Sequence, residues 1–438
     1  MDIRKKDPCH GLDSRRSWAV LAFASWVGFV STMSIRSSGV FYVAILDFFE
    51  VSREAASMPV TLSMSARFLG GLFVGSLCEF WPCQRVLVAC ASLASFGMGI
   101  CYFAPNVAFI SCFLGILHGC SLAGLSVGLQ VLICQHFQKW RTTACSLISA
   151  PQCLNVFFAP HLADYFLSSY GTPELFLLLG AVSLNAVPAV LAMGSPPWVT
   201  EKLKKAADSG GQLLLEQLDG YISDNEDSGG RSQTGAEEET SLTCRRSFRN
   251  QDASVFPAAP LPEATIDDRS YGLFGLKRVF KDSLRSFASP TFLVDVSSFA
   301  IHVYTMTTFF MVHIDLSKDR GVNPSHAIFL VHIHSIAEMV MRVCGGFIVD
   351  RGYISLPGSM LLSFLGASVA CEGLAWSASM ASFGTSSLLL GLSEGMVIGM
   401  MAPVLIRDFK EQSLPIMLGG LRFVVGVALM TRPPLVGK

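Results

Sequence analysis

The chain has 438 residues, of which 51% are hydrophobic and 15% are charged, and its formal net charge is −1. Soluble proteins carry about 25% charged residues, so this composition excludes an ordinary cytosolic enzyme, a disulfide-rich secreted domain and a disordered scaffold. A net charge near zero also gives no electrostatic reason to expect a nucleic-acid partner.

Long apolar segments follow one another along the chain, and each is long enough to form a membrane-spanning helix. Eleven can be placed, at residues 18–47, 55–77, 85–104, 106–134, 143–167, 173–194, 288–312, 325–349, 355–376, 383–405 and 415–436. The sequence therefore predicts an all-α polytopic membrane protein.

A polar stretch separates the first six segments from the last five. It is rich in charge and low in aromatic residues, which favours a largely disordered linker. The predicted domains are an N-terminal tail at 1–17, a six-helix bundle at 18–194, the linker at 195–286 and a five-helix bundle at 287–438. This order resembles the six-plus-six plan of the major facilitator fold, with the twelfth helix apparently missing, and we interpret the chain as a C-terminally incomplete form or isoform.

The distribution of Lys and Arg predicts the orientation in the membrane. Short connections on the side that holds the N-terminus carry eleven of these residues, and those on the opposite side carry three. The positive-inside rule then places the N-terminus and the linker of this multi-pass protein in the cytoplasm.

A short motif occurs twice, once in each half of the chain. Gly75 precedes Glu79 by four residues after the second segment, and Gly346 precedes Asp350-Arg351 by the same spacing after the eighth. Both copies resemble the major facilitator loop motif Gly-x-x-x-Asp-Arg-x-Gly. Glycine would let neighbouring helices approach closely, and the acid and arginine would hold a helix end in one conformation. The alternative is a chance glycine near an acid at the membrane interface.

Three charged residues inside the predicted spans are the main candidates for a site, since a charge at mid-bilayer costs about 3 kcal/mol. Glu338 and Arg342 are four residues apart and share one helix face, so they neutralise each other. Such a pair suits proton-coupled anion transport, with a substrate carboxylate on Arg342 and a proton on Glu338; the alternative is a structural ion pair. Arg36, near the outer end of the first helix, would attract an anion, unless it only extends to the lipid headgroups.

Three further polar residues are weaker candidates. Arg67 lies 271 residues before Glu338, the same offset as the repeated motif, so it is expected to line the same cavity. Glu394, between Gly391 and Gly395, is a second possible lining residue. His118 is more easily explained as a hydrogen-bonded interior histidine than as a proton relay.

Several stretches, in order along the chain, resemble the monocarboxylate transporter family of solute carriers. They are Asp13–Ala19, Arg36–Tyr42, Phe137–Arg141, Ile336–Arg342, Gly419–Leu421 and Pro433–Leu435. In the proton-linked members, a first-helix lysine and an eighth-helix acid and arginine carry proton and substrate, and the resemblance passes these roles to Arg36, Glu338 and Arg342. Because arginine keeps its charge, Glu338 becomes the preferred proton site. The resemblance also implies a single-span glycoprotein chaperone as a partner.

The predicted function is proton-coupled symport of monocarboxylates by alternating access, with no cofactor and no metal. One alternative is facilitated exchange of amino acids or other polar organic solutes. Another is a membrane sensor or an inactive truncated isoform. An enzyme is not expected, because no nucleophile elbow, His-Glu-x-x-His or phosphate-binding loop occurs in the sequence.

Overall fold

Polar caps set where several of the helices begin. Ser14, Ser52 and Ser355 each accept a hydrogen bond from the amide three residues on, which satisfies an otherwise unpaired amide of the first turn. The computed structural model describes residues 11–196, 287–320, 324–409 and 413–429. The predicted linker from residue 197 onward and the Pro433–Leu435 stretch lie outside these ranges.

Within these ranges, the first half of the chain forms ten α-helices. They are α1 Arg15–Arg36, α2 Ser38–Phe49, α3 Arg53–Phe80, α4 Cys83–Gly99, α5 Val107–Ile110, α6 Gly119–His136, α7 Arg141–Leu147, α8 Pro151–Tyr170, α9 Thr172–Leu184 and α10 Ala186–Ala192. A 3-10 turn at Ile100–Phe103 extends α4, and a π-helical stretch at Ser111–His118 joins α5 to α6.

The described part of the second half forms five longer helices. They are α11 Pro290–Asp319, α12 Pro324–Asp350, α13 Leu356–Trp376, α14 Met380–Phe409 and α15 Leu414–Leu429. Every predicted apolar segment contains helix and no strand occurs in the described ranges, so the all-α fold class is confirmed.

Three predicted segments are interrupted. The first breaks at Ser37, whose hydroxyl donates a hydrogen bond of 3.0 Å to the carbonyl of Ala159 in α8. The fifth breaks before Pro151, which lacks the amide needed to continue a helix. The sixth breaks at Asn185, whose side-chain amide bonds the carbonyls of the preceding turn. The bonds of Asn185 are local and compete with regular helix, whereas the Ser37 bond reaches another helix and Pro151 lacks a donor. An apolar pattern reports none of these features.

Large apolar side chains are exposed around the outside of the helices. Phe73, Val294, Leu361 and Val369 are all more than half exposed. Seven of the described helical stretches are long and apolar enough to cross a bilayer. An apolar exterior of this extent suits lipid rather than water, and the chain is a multi-pass membrane protein.

Helix packing joins the two halves of the chain at two places. Helix α3 packs along α15, and α7 and α8 pack along α12. The turn at 81–82, the loop at 137–140 and the turn at 351–355 lie on the same side of the helices as residue 13, and we call this side the N-terminal face. All described residues belong to one compact unit, so contacts between the halves are internal to it.

Candidate functional site

The centre of the site is an ion pair on α12. Glu338 and Arg342 lie one helical turn apart and are 0% and 3% exposed, and Arg342 donates a short hydrogen bond to Glu338 Oε1. Glu338 lies twelve residues before the end of α12, about 18 Å from the N-terminal face. The pair is therefore buried deep inside the membrane-spanning region.

Arg342 also connects the two halves. Its Nη1 donates a 2.7 Å hydrogen bond to the main-chain carbonyl of Ser149, in the short non-helical segment between α7 and α8. Within the described part of the chain, Glu338 Oε2 and Arg342 Nε are buried without a hydrogen-bond partner. The pair thus keeps the Oε2 acceptor of Glu338 and the Nε–H donor of Arg342 uncommitted.

Arg36 approaches the same pair from the first half. It is the last residue of α1, and its guanidinium carbon lies 4.7 Å from the centre of the Phe310 ring of α11. It lies within electrostatic range of both Glu338 and Arg342. The three residues predicted to form the core of the site are therefore brought together between the halves.

His334, which was not among the residues selected from the sequence, lies beside Glu394 near the ion pair. His334 Nε2 lies 3.3 Å from Glu394 Oε2, and both side chains are fully buried. The His334 ring centre lies 4.4 Å from the Phe309 ring centre and 5.3 Å from that of Phe310. His334 precedes Glu338 by four residues, which is one helical turn. This spacing could have identified His334 from the sequence as a neighbour of the ion pair.

A cavity of about 160 Å³ adjoins Glu394 within the second half. His302 and Thr305 of α11, Ser363 and Cys371 of α13 and Glu394 of α14 contribute its polar lining. His302 is 4% exposed. Glu394 therefore borders a cavity that lies among α11, α13 and α14 rather than between the halves, and its place in the transport pathway stays a prediction.

Arg67 was predicted from the repeat to line the same cavity as Glu338, and this role stays a prediction. It lies on α3 with its guanidinium 5.8 Å from the ring of Phe68, and its electrostatic neighbour among the described residues is Arg36 rather than Glu338. Arg422 of α15 lies within electrostatic range of Arg67. It donates hydrogen bonds to Ser126 and Gln130 of α6.

The second copy of the loop motif holds the two halves together at the N-terminal face. The carboxylate of Asp350, at the end of α12, accepts hydrogen bonds from the amide and hydroxyl of Thr143, both at 2.7 Å, and from the amide of Thr142 at 3.3 Å. These amides start α7, where a carboxylate is favoured by the helix dipole. Arg351 lies over the rings of Trp140 and Phe347.

Glycines in both copies sit where the halves touch. A Cβ on Gly346 would lie 2.5 Å from Cα of Thr143, and one on Gly75 would collide with the main chain of Pro415 in α15. The predicted close approach of helices is therefore present at both positions. The side chain of Glu79 lies outside the described residues.

His118 forms two hydrogen bonds at the start of α6. Its Nδ1 lies 2.8 Å from the carbonyl of Ala94 and its Nε2 lies 3.0 Å from Ser34 Oγ. Both ring nitrogens are engaged, in agreement with an interior histidine that ties α1 and α4 to α6. His118 is also the last residue of the π-helical stretch that precedes α6.

Comparisons with known proteins agree with this geometry. A family model described as Major Facilitator Superfamily matches residues 24–431. Human Monocarboxylate transporter 14 is 25% identical over 184 residues, 42% of this chain and 36% of that protein. Human Monocarboxylate transporter 7 is 22% identical over 440 residues, 97% of this chain and 81% of that protein. Mouse Monocarboxylate transporter 9 is 25% identical over 183 residues, 42% of this chain and 35% of that protein.

The match therefore spans about a third of the length of two of these relatives and most of the third. Among solved structures, the proton:xylose symporter XylE aligns with a TM-score of 0.62 at 12% identity, covering 96% of this chain and 88% of that one. This likeness concerns the fold alone. The resemblance drawn from the motifs is confirmed by the family model and by the monocarboxylate transporter relatives.

Proposed function

The chain belongs to the Major Facilitator Superfamily, and we propose that it is a secondary transporter that moves an organic acid, in the first instance a monocarboxylate, together with a proton by alternating access. The relatives named monocarboxylate transporters support this substrate class. We further propose that it acts at the plasma membrane with its N-terminus in the cytoplasm and performs no enzymatic reaction.

The observation that carries the proposal is the Glu338–Arg342 pair. A buried, membrane-embedded ion pair costs free energy unless its geometry is favourable, and such residues usually mark a transport pathway. Arg342 belongs to the second half and bonds Ser149 of the first half, so its contacts must change when the halves move. A bound carboxylate on Arg342 would then be coupled directly to that motion.

Proton coupling follows from competition for Arg342. When a substrate carboxylate binds this guanidinium, it replaces part of the interaction with Glu338. A Glu338 carboxylate that loses its cation favours the protonated form, so it takes a proton from the open side. The proton returns to water on the other side when the substrate leaves and Arg342 pairs with Glu338 again.

Arg36 would bring the anion to the pair. Its charge persists at any physiological pH, and its planar guanidinium lies on the Phe310 ring. In this role it binds the substrate carboxylate and exchanges no proton. Glu338 is then the proton carrier, and a single-span glycoprotein remains the proposed partner for delivery to the cell surface.

Uptake of radiolabelled lactate or pyruvate into proteoliposomes, with and without an inward pH gradient, tests the proposal. Wild-type protein should accumulate the acid only with the gradient. Glu338→Gln should lose this accumulation, because glutamine releases no proton, and Arg342→Ala should lose uptake altogether. Arg407→Gln is a control, since Arg407 is 46% exposed and pairs with Asp408.

Equal uptake by wild type, Glu338→Gln and Arg342→Ala would rule out this mechanism. Exchange that is independent of the gradient in wild type would instead favour facilitated transport of another organic solute. Absence of all uptake by correctly folded protein would support a sensor or an inactive isoform.

A further inference from the structure

The charged side chains in and beside the interface between the halves are unbalanced. Arg36, Arg67, Arg342 and Arg422 provide four positive charges, and Glu338 and Glu394 provide two negative ones. Arginine stays protonated, whereas the buried histidines can remain neutral. The site therefore holds an excess of two positive charges among the side chains that the structure describes.

The excess is located at Arg67 and Arg422. Across residues 11–196, 287–320, 324–409 and 413–429, the electrostatic neighbour of Arg67 is Arg36 and that of Arg422 is Arg67, and neither has an acidic partner. A Cβ at Gly71, one helical turn after Arg67 on α3, would lie 3.6 Å from Arg422 Cδ, so the two arginines belong to the same stretch of the contact between α3 and α15. Two cations placed in this way without an anion repel, and the burial of Arg422 strengthens the repulsion because the local dielectric constant is low. A pair of this kind is stabilised when an anion binds between them.

The contacts of Arg422 hold it in place without neutralising it. Its Nη1 and Nη2 donate to Ser126 Oγ and to Gln130 Oε1, both uncharged acceptors, and its Nε is buried with no hydrogen-bond partner in the described chain. The side chain is 9% exposed. The Nε–H is thus available to a ligand, in a rigid guanidinium plane that suits carboxylate or phosphate oxygens.

Arg67 is the less constrained member of the pair. Its guanidinium lies against Phe68, and none of the described residues accepts a hydrogen bond from it. It is half-buried and lies about 20 Å along α3 from the N-terminal face, at a depth close to that of Glu338. Arg67 therefore connects the Arg36–Arg342 side of the interface with Arg422 on the other side.

We propose that Arg67 and Arg422 form a second anion subsite, and that the preferred substrate is an organic acid with two anionic groups. One carboxylate binds Arg36 and Arg342, and the second anionic group binds Arg67 and Arg422. The inference rests on the proposed function: it keeps an organic acid as the substrate and replaces the monocarboxylate by an acid with two anionic groups. In the loaded site Glu338 carries a proton, as the proposed function requires, so a dianion leaves one positive charge uncompensated and a single carboxylate leaves two, which is more costly in a buried site.

Succinate and butyrate test the proposal, since they have equal carbon number and differ by one carboxylate. Both are offered as radiolabelled probes to proteoliposomes, at a pH where all carboxyl groups are ionised. Wild-type protein should take up succinate in preference to butyrate. Arg67→Gln should lower succinate uptake about tenfold, as expected on loss of one charge-assisted contact, and should keep butyrate uptake at or above the wild-type level, because it removes a positive charge that butyrate leaves uncompensated.

Two further variants separate binding from folding. Arg67→Lys keeps the charge and should retain most of the preference for succinate. Arg422→Gln should lose the preference as Arg67→Gln does, provided that its thermal unfolding temperature shows that it is folded. Arg407→Gln again serves as the control, because it removes a cation outside the site.

Each outcome decides between the two proposals. Butyrate uptake equal to or above succinate uptake, or an equal loss of both in Arg67→Gln, would overturn the second subsite and leave the proposed function intact. Failure of folded protein to take up either acid would overturn the proposed function, and the subsite with it.

Discussion

Arg342 and Ser149 join the two halves of the chain by one hydrogen bond, from the guanidinium Nη1 to a main-chain carbonyl at 2.7 Å. The same guanidinium bonds Glu338, so a single side chain serves both the interface and the ion pair. Because the acceptor is a main-chain carbonyl, substitution of Ser149 would leave this bond in place. Arg342 is therefore the side chain through which the interface can be tested.

Removing one member of the Glu338–Arg342 pair should lower the free energy of unfolding more than removing both. Glu338→Gln leaves the Arg342 charge buried and unpaired, so we expect a loss of about 3–5 kcal/mol in the free energy of unfolding. The double variant Glu338→Leu/Arg342→Met should unfold close to wild type, because apolar residues of similar volume replace the pair. Unfolding of purified protein in detergent, followed by tryptophan fluorescence, provides the measurement.

The Arg407–Asp408 pair is the matched control for this comparison. Arg407 is 46% exposed, so Arg407→Gln should change stability by at most about 1 kcal/mol. The double variant at Glu338 and Arg342 could instead be as unstable as Glu338→Gln. That result would show that the pair stabilises the fold by more than the neutralisation of its two charges.

Substitution of His334 and substitution of Glu394 should lower the thermal unfolding temperature by different amounts. Glu394→Gln keeps the volume and a hydrogen-bonding group beside His334, so we expect a small decrease in thermal unfolding temperature. His334→Leu leaves the Glu394 carboxyl buried without its neighbour at 3.3 Å, and we expect a much larger decrease. Differential scanning fluorimetry on the two single variants and the double variant measures the coupling.

The double variant of His334 and Glu394 shows which result would contradict this prediction. If His334→Leu and Glu394→Gln have effects that simply add, the two side chains do not interact energetically, and the 3.3 Å approach is only a packing contact. Leu at 334 also retains an apolar contact with Phe309, so loss of ring packing is limited.

The sequence predicted the helices and the central charged residues because both follow from the cost of placing polar groups in lipid. The length of the apolar segments predicted the membrane spans. A charge inside a span, such as Glu338 or Arg342, is costly in lipid and therefore predicted a functional site. The repeated Gly-x-x-x-acid pattern likewise indicated the close approaches at Gly75 and Gly346, which the structure contains.

The interhelical partners could not be predicted in this way. His334 and Glu394 are 60 residues apart on different helices, and their contact depends on how α12 packs on α14. The offset of 271 residues suggested that Arg67 lines the same cavity as Glu338, but it could not show that the electrostatic neighbours of Arg67 are Arg36 and Arg422. Pairing across helices depends on rotation about each helix axis, which an apolar pattern alone leaves undetermined.

Asp350 should control how often the N-terminal face is closed. It caps the start of α7 from the other half of the chain through the amides of Thr142 and Thr143. Loss of such a cap costs about 1 kcal/mol, so Asp350→Ala should shift the population toward open forms about fivefold. Asp350→Asn retains an acceptor and should have a smaller effect.

Distances between spin labels measure this shift. Gln138 and Tyr353 are exposed, lie on the N-terminal face and belong to opposite halves, so cysteines placed there report on the gap between them. Longer distances in Asp350→Ala than in wild type are expected. Unchanged distance distributions would show that the cap does not influence closure.

Gly346 provides a steric test of the same closure that leaves every charge in place. A Cβ added there would lie 2.5 Å from Cα and 2.7 Å from the amide nitrogen of Thr143, and main-chain atoms cannot move aside as a flexible side chain does. Gly346→Ala should therefore hold the N-terminal face open and slow transport. Gly99→Ala is the matched control, because a Cβ at Gly99 meets no atom within 4 Å.

Spin-label distances between positions 138 and 353 and substrate uptake should change together in Gly346→Ala and remain at wild-type values in Gly99→Ala. An open face with normal uptake would mean that the contact between Gly346 and Thr143 is dispensable for the transport cycle. Normal distances in Gly346→Ala would mean that α12 and α7 can separate slightly without opening the face. Only a joint change supports closure of this face as a required step.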